Sequence, residues 1–233
     1  MSTLYGANPD QLEHLGSTLK RQIEAINSVM STVTSALSGT TWMGPARDQF
    51  EQEWQGSFRS ALTRLNDAFE AAGQDCVLRT QELRRVMGHF ATGVTVITTR
   101  DKDGNPQGLT ANAFMSLSLN PPLVVISVDK NATCYSCFEP NNGFTVNFLS
   151  EDQEEISRRF ATKGADKFAD LKWHPASNGA ALIDGALGYV ECNVTQCHDG
   201  GDHTIVIGEI VNLTASGDRP LLFFKGKYQK LLA

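Results

Sequence analysis

Between Pro9 and about Leu37, apolar residues recur at steps of three and four: Leu12, Leu15, Leu19, Ile23, Ile26, Met30, Val33 and Leu37. That spacing draws one apolar stripe along an amphipathic helix. After the turn-like SGTTWMGP, a second stripe runs through Phe50, Trp54, Phe58, Leu62, Leu65 and Phe69. Pro45 suits a first helical turn, and Thr41 is placed to cap it. Two such segments joined by a short turn predict an antiparallel αα-hairpin over residues 1–75. Helical periodicity continues past Gly73 through CVLRTQELRRVMGHFA and then gives way to the β-branched, alternating GVTVITT.

The remainder reads as β-structure. DGNPQG is a hairpin-turn sequence, and further strands are predicted at 123–128, 144–148, 187–195, 203–213 and 221–224. One acidic helix is expected around residues 152–160. Short strands separated by turn signals predict an antiparallel barrel over residues 76–233, and an α+β chain overall. No Pro/Ser-rich linker separates the halves, so the boundary at residues 70–75 rests on the change of period alone.

Composition narrows the function classes. The 233 residues carry a formal charge of −6, with 41% hydrophobic and 20% charged residues, ordinary values for a globular protein. That charge argues against a generic nucleic-acid or anionic-membrane partner. No apolar run approaches the roughly 18 residues of a membrane span. MSTLYGANPDQLEHLG has neither a basic nor an apolar signal region, so a cytoplasmic location is expected. Five cysteines, an odd number in a long chain, fit reduced thiols better than a disulfide framework. The CYSC pair Cys134 and Cys137 has metal-ligand spacing, but no second C-x-x-C accompanies it, and no metal is expected.

No dinucleotide fingerprint, P-loop or nucleophile elbow occurs. Two stretches carry candidate chemistry. In Gly108-Leu-Thr-Ala-Asn-Ala113, small residues would let backbone N–H groups approach a planar or anionic ligand, with Thr110 and Asn112 as polar contacts. A strand with a tight packing neighbour is the other reading of the same residues. In HDGGDHTIVIGE, His198, Asp199, Asp202 and His203 cluster around two glycines. That cluster reads either as a metal set or as a hairpin turn that projects a histidine.

The order of motifs adds a resemblance. LRRVMGHFATGVTVITT, GLTANAFMSLSLNPPLVVISVDKNATCY, FTVNFLSEDQEEISRRFA, DKF, GDH and a closing LLFFKGKY follow one another over residues 82–230. This is similar to the flavin reductase family of FMN-binding split barrels, the small reductase components of two-component flavin-dependent monooxygenases. The resemblance implies a split barrel with flanking helices that binds FMN or FAD and takes hydride from NADH, or from NADPH. It implies homodimers and a partner oxygenase component that acts on aromatic or steroid rings. By the same resemblance, Thr110, Ala111, Asn112 and Ala113 would line the isoalloxazine, with Ser116 and Leu117 nearby. Ser127 and Val128 would hold the ring and ribityl chain, and Lys130 with Asn131 would approach the phosphate. Asn147, Ser157, Arg158 and Thr92 would lie around the flavin. His203 would sit over the nicotinamide as the catalytic-side residue, and Tyr228 would shield it. Many relatives have serines where this chain has Asn131, Ala132, Thr133 and Cys134, which leaves FMN against FAD open.

Trp42-Met43-Gly44 between two amphipathic helices resembles the WXG100 (ESAT-6-like) helical hairpins, over residues 1 to about 75. That family is associated with type VII secretion, whose signals use Tyr-x-x-x-Asp/Glu after the second helix. Here the pattern occurs only at Tyr135 to Glu139, deep in the second half. Two other function classes remain beside a reductase: a non-catalytic flavin-binding protein, and a secretion-related interaction module fused to a barrel. Kinetics of a His203 variant would separate the first from a reductase, and secretion of chains lacking residues 1–75 would test the second.

Overall fold

The structure is a computed structural model that describes residues 9–217 and 219–231, with side chains from Leu12 onward. The first eight residues of the stretch read for a secretory signal lie outside the described residues. The chain forms two compact units, residues 1–87 and 88–233.

The first unit is helical. α1 (Pro9–Gly39) is followed by α2 (Pro45–Glu53), one π-helical segment (Trp54–Phe58) and α3 (Arg59–Met87). α3 runs without interruption through the expected boundary at residue 75 and ends at Met87. The expected cap also differs: Gly44, at φ 110°, is the N-cap of α2, Pro45 follows at its first turn, and no side chain caps the helix. A positive φ suits glycine and not Thr41's β-branched type. α1 and α3 approach closely at Gly16 and Gly73, where a Cβ on Gly16 would lie 3.2 Å from the Gly73 carbonyl oxygen. Trp54 is buried, and its indole N–H donates to Thr34 Oγ1 at 3.2 Å. A π turn takes more residues than an α turn, so Phe58 no longer stacks above Trp54 and is 48% exposed. No described helix is long and apolar enough to cross a membrane.

The second unit is built on one antiparallel sheet. Its strands are β2 (Thr95–Arg100), β3 (Pro106–Ala111), β4 (Phe114–Leu119), β5 (Pro122–Asp129), β6 (Gly143–Phe148), β9 (Gly188–Gly200) and β10 (His203–Ala215). The order across the sheet is β3-β2-β6-β9-β10-β5-β4, so β3 and β4 are its two edges. Laid flat, seven strands would hold those edges about 29 Å apart. Yet only Asn112 and Ala113 join them, a span of at most about 11 Å. The sheet must therefore curl until its edges meet at that end, as a barrel left split along β3 and β4. The Ser127 amide donates to the Ala113 carbonyl at 3.2 Å, extending the β4–β5 ladder up to that connection.

Smaller pieces cover the barrel: β1 (Thr92–Gly93), α4 (Glu154–Ala161), the β7–β8 hairpin (Trp173–Pro175, Ala181–Ile183) and the C-terminal β11–β12 hairpin (Leu222–Phe224, Lys227–Gln229). β2 is buried on both faces, and its alternation serves two cores. Ile97 points into the barrel with Ile126, Val128, Phe144 and Val206. Val96 points outward into a second cluster with Phe160, Leu149 and Leu221, under α4 and the C-terminal hairpin. Gly108 permits this packing: a Cβ there would lie 2.8 Å from both the Ile97 carbonyl oxygen and the Phe160 ring.

Candidate active site

The second cluster opens into a cleft of about 220 Å³ lined by Val94, Thr110, Ala111, Asn112, Ser157, Ala161, Phe223 and Tyr228. β3 supplies one wall, α4 the second, and the C-terminal hairpin the third. Hydrogen bonds fix these walls to one another. Thr110 Oγ1 donates to the Ser157 carbonyl at 2.6 Å, and Ser157 Oγ lies 2.8 Å from the Tyr228 hydroxyl. The Arg158 guanidinium sits 4.8 Å from the centre of the Tyr228 ring, a cation–π arrangement, while its Nη2 and Nε bond Glu154. Ser157 is fully buried, so its hydroxyl is desolvated and satisfied by Tyr228.

On the other side of Asn112 lies a larger cleft of about 540 Å³. Phe90, Thr92, Phe114, Phe148, Leu187 and Leu221 line it together with Asn112 itself. Thr92 Oγ1 is buried with no hydrogen-bond partner. A buried hydroxyl without a partner carries a desolvation penalty that a polar ligand atom would relieve. Asn112 and Val94 thus line both clefts, Asn112 at the point where the barrel closes.

Thr110, Ala111, Asn112, Ser157, Tyr228 and Thr92 are accordingly brought to these clefts, with Arg158 behind Tyr228. Tyr228 stands with the residues expected at the isoalloxazine, not beside His203. Ala113 and Ser127 meet at the closure just described. Ser116 and Leu117 lie exposed at an irregularity in edge strand β4.

Three expected ligand residues have other work. Asn147 is fully buried; its amide N–H groups donate to the Val96 and Ala181 carbonyls, each at 3.2 Å, and its oxygen accepts from the Ile183 amide at 2.9 Å. With both ends of the amide engaged, it joins β6 to β8 rather than facing a cleft. The Val128 side chain is fully buried in the barrel core, because β5 alternates and Ser127 takes the outward position. Asn131 folds back on its own strand end, its amide donating to Asp129 Oδ1 at 2.7 Å.

Lys130 is similarly committed. Its ammonium bonds the Asp199 carboxylate and donates to the Gly201 carbonyl at 2.6 Å. That partner holds the Lys130 ammonium above its ordinary pKa and the Asp199 carboxyl below its own. Lys130 therefore latches the β9–β10 hairpin. Gly201 turns that hairpin at φ 83°, a conformation that favours glycine, and His203 opens β10 immediately after. Asp202 Oδ1 lies 2.8 Å from His203 Nδ1. With Nδ1 turned to Asp202, Nε2 is the ring nitrogen left for another partner. His203 pairs across the sheet with Asp129 and faces outward from the barrel, as does Ile205, which pairs with Ser127. Neither cleft at Asn112 includes His203 among its lining residues.

The cysteines sit apart in chemistry. Burial pushes the Cys134 thiol up to about 11 and the Cys192 thiol up to about 12. Cys192 belongs to the barrel core, and Cys197 Sγ rests against the Phe138 carbonyl at 3.4 Å. Protonated thiols of this kind are poor ligands and poor nucleophiles.

Sequence reasoning missed Val94, Ala161 and Phe223 in the smaller cleft and Phe148 and Leu187 in the larger one. Their only sequence signal is apolar alternation, which core residues share.

Comparison with known proteins places this geometry. Residues 87–232 match the flavin reductase like domain. The reductase subunit HsaB of a flavin-dependent monooxygenase from Mycobacterium tuberculosis is 43% identical over 148 residues, 62% of this chain and 79% of that protein. The reductase component of the flavin-dependent trigonelline monooxygenase of Acinetobacter baylyi is 41% identical over 154 residues, 66% of this chain and 50% of that protein. Among solved structures, the Streptomyces globisporus C-1027 NADH:FAD oxidoreductase SgcE6, in complex with NAD and FAD fragments, has a TM-score of 0.62 at 39% identity, covering 65% of this chain and 92% of that one. Nitrilotriacetate monooxygenase component B from Mycobacterium thermoresistibile has a TM-score of 0.64 at 40% identity, covering 66% of this chain and 88% of that one. The match covers nearly the whole of the second unit, split barrel and clefts included, and the chain belongs to the flavin reductase family.

Proposed function

We propose that the chain is an NAD(P)H:flavin oxidoreductase that uses FMN or FAD with NADH and supplies reduced flavin to the oxygenase of a two-component monooxygenase. The convergence of Thr110, Ala111, Asn112, Ser157 and Tyr228 on one cleft carries the site assignment. These residues suit a planar ring with polar edges. Small side chains at Ala111 and Ala161 leave room for a ring face, Phe223 and Tyr228 offer aromatic surface, and Thr110 and Asn112 offer polar atoms at the rim. The unpartnered Thr92 hydroxyl adds a donor on the far side of Asn112.

When bound, the flavin supplies the hydride acceptor and the reduced nicotinamide the donor, so no protein nucleophile is required. The chain's residues bind, orient and exclude water. Tyr228 and Ser157 close the cleft wall by their mutual hydrogen bond, and Arg158 holds the Tyr228 ring in place. The short Asn112–Ala113 connection, pinned by Ser127, fixes the rim against which the ring is oriented. His203, positioned by Asp202, presents its other ring nitrogen to a nicotinamide carboxamide.

A homodimer fits this reading. Met115, Leu117 and Ile205 are 56%, 44% and 37% exposed on the outer side of β4 and β10. An apolar surface of this kind favours a second copy of the chain, which would also bring an outward-facing His203 toward a neighbouring cleft. The helical hairpin, WXG100-like in its Trp42-Met43-Gly44 turn, would then be an interaction module carried beside the reductase.

Steady-state assays of the full chain with each nicotinamide and each flavin test the function. NADH oxidation that depends on added flavin is the expected result. Absence of turnover with every pair, despite tight flavin binding, would leave the non-catalytic flavin-binding reading in its place.

A further inference from the structure

We infer that the larger cleft is a second ligand site, for a neutral phenol fused to a further apolar ring, and that its ligand tightens flavin binding through Asn112. The site itself stands apart from the flavin-reductase reading; its coupling to flavin rests on that reading.

Charge and shape name the ligand class. Among the described residues that line the cleft, none is charged. Nothing there would offset the desolvation of a phosphate or a carboxylate, so the ligand is neutral. Phe114 and Phe148 supply aromatic wall, with ring centroids 5.4 Å apart and planes tilted by 54°. Leu187 and Leu221 supply aliphatic wall, and Phe90, 74% exposed, offers a third ring on the open side. Such walls favour a flat, apolar molecule. The volume of about 540 Å³ exceeds what one benzene ring fills and falls among pockets for drug-sized ligands. Only three polar side chains line it: Thr92, Thr95 and Asn112. Thr95 Oγ1 is spent on the Ala111 carbonyl at 2.6 Å. Thr92 Oγ1 is buried with no partner, and a ligand hydroxyl, which donates and accepts, matches it.

Shared residues supply the coupling. Asn112 and Val94 line this cleft and the ring cleft alike. Asn112 is exposed on the short connection between β3 and β4, so its side chain is held by little in the empty protein. A ligand packed against it orders that side chain before the flavin arrives. The flavin then loses less freedom on binding, which makes the two sites positively cooperative. By linkage, each ligand tightens the other by the same factor.

Tetrahydronaphthol, a phenol fused to a saturated ring, is the probe. Tetrahydronaphthalene is the control without the hydroxyl, and tetrahydronaphthoic acid the charged one. Calorimetry on the full-length chain should show the phenol binding about fivefold more tightly than tetrahydronaphthalene, as one hydrogen bond predicts, and the acid not binding. Thr92→Val should erase that difference by weakening the phenol alone. Leu187→Phe, which fills the cleft, should weaken both neutral probes. Saturating FMN should tighten the phenol by about fivefold, and saturating phenol should tighten FMN equally. Failure of both neutral probes to bind the wild-type chain would overturn the proposal, as would an acid that binds as well as the phenol. Phenol affinity unmoved in Thr92→Val would overturn it too. So would direct competition between phenol and FMN, which would give the cleft to the flavin, or phenol affinity that FMN leaves unchanged. A chain that binds the phenol through Thr92 and binds no flavin would instead remove the reductase reading and the coupling with it, and keep the site.

Discussion

Tyr228 and Ser157 meet through their hydroxyls at 2.8 Å, which ties the C-terminal hairpin to α4 across the mouth of the ring cleft. The contact is not a surface ornament: Ser157 is fully buried, so removing the Tyr228 hydroxyl leaves its Oγ desolvated and unpaired. Tyr228→Phe keeps the ring under Arg158 and loses only this bond. It should cost about 1–3 kcal/mol in closure of the cleft wall, seen as weaker flavin binding and faster amide exchange in β11–β12. Tyr228→Ala should be more damaging on both readouts, because the aromatic wall goes too.

Gly108 sets how closely α4 lies on the barrel. Gly108→Ala would force a Cβ to within 2.8 Å of the Ile97 carbonyl and the Phe160 ring. Overpacking of this kind costs about 1–3 kcal/mol and should lower the denaturant midpoint. Because α4 carries Ser157, flavin affinity should fall in the same variant.

Asn147 separates stability from binding. Asn147→Ala leaves the buried Ile183 amide without a partner and removes one donor from the Val96 and Ala181 carbonyls, the second of which keeps Thr98 Oγ1 at 2.6 Å. A loss of about 1–3 kcal/mol in unfolding free energy is expected, with flavin Kd unchanged at temperatures where the variant is folded. Intact stability with weakened flavin binding would return Asn147 to the ligand.

The Lys130–Asp199 latch should be flat across a wide pH range. Asp199 is held below its ordinary pKa, so its contribution is present above about 3.9 and is lost only as pH falls through the lower folded value. Lys130 is raised, so its contribution is complete below about 10.4 and is lost as pH rises through the higher folded value. Carboxyl chemical shifts of Asp199 followed by NMR check this directly. Lys130→Gln should free the hairpin that carries His203, raising KM for NADH by more than it weakens FMN.

Ile205→Glu and Met115→Glu place charge on the exposed apolar face of β10 and β4. Each should shift the chain from dimer to monomer in sedimentation and reduce turnover with it. Wild-type chain that is monomeric at assay concentration would contradict the homodimer.

Much of this was legible in the residues. The β-branched alternation of GVTVITT placed β2, and the turn chemistry of DGNPQG placed the hairpin that follows. The two stripes of threes and fours placed α1 and the run from α2 through the π-helical segment into α3. The order of motifs singled out Thr110 to Asn112 and Ser157, which line one cleft. What stayed hidden depends on partners distant in sequence. Lys130 reads as a free cation until Asp199 folds over it, 69 positions away. Asn147 reads as a polar ligand until β8 arrives against it. The boundary near residue 75 failed to show for a simpler reason: helical propensity does not change where a domain ends, and α3 runs on to Met87.

The most direct measurement is anaerobic mixing of NADH with the full-length chain carrying stoichiometric FMN, following both chromophores. The account predicts that flavin absorbance bleaches as nicotinamide absorbance falls, mole for mole, and that Tyr228→Phe slows both together. Bound flavin that stays oxidised while NADH persists would contradict it.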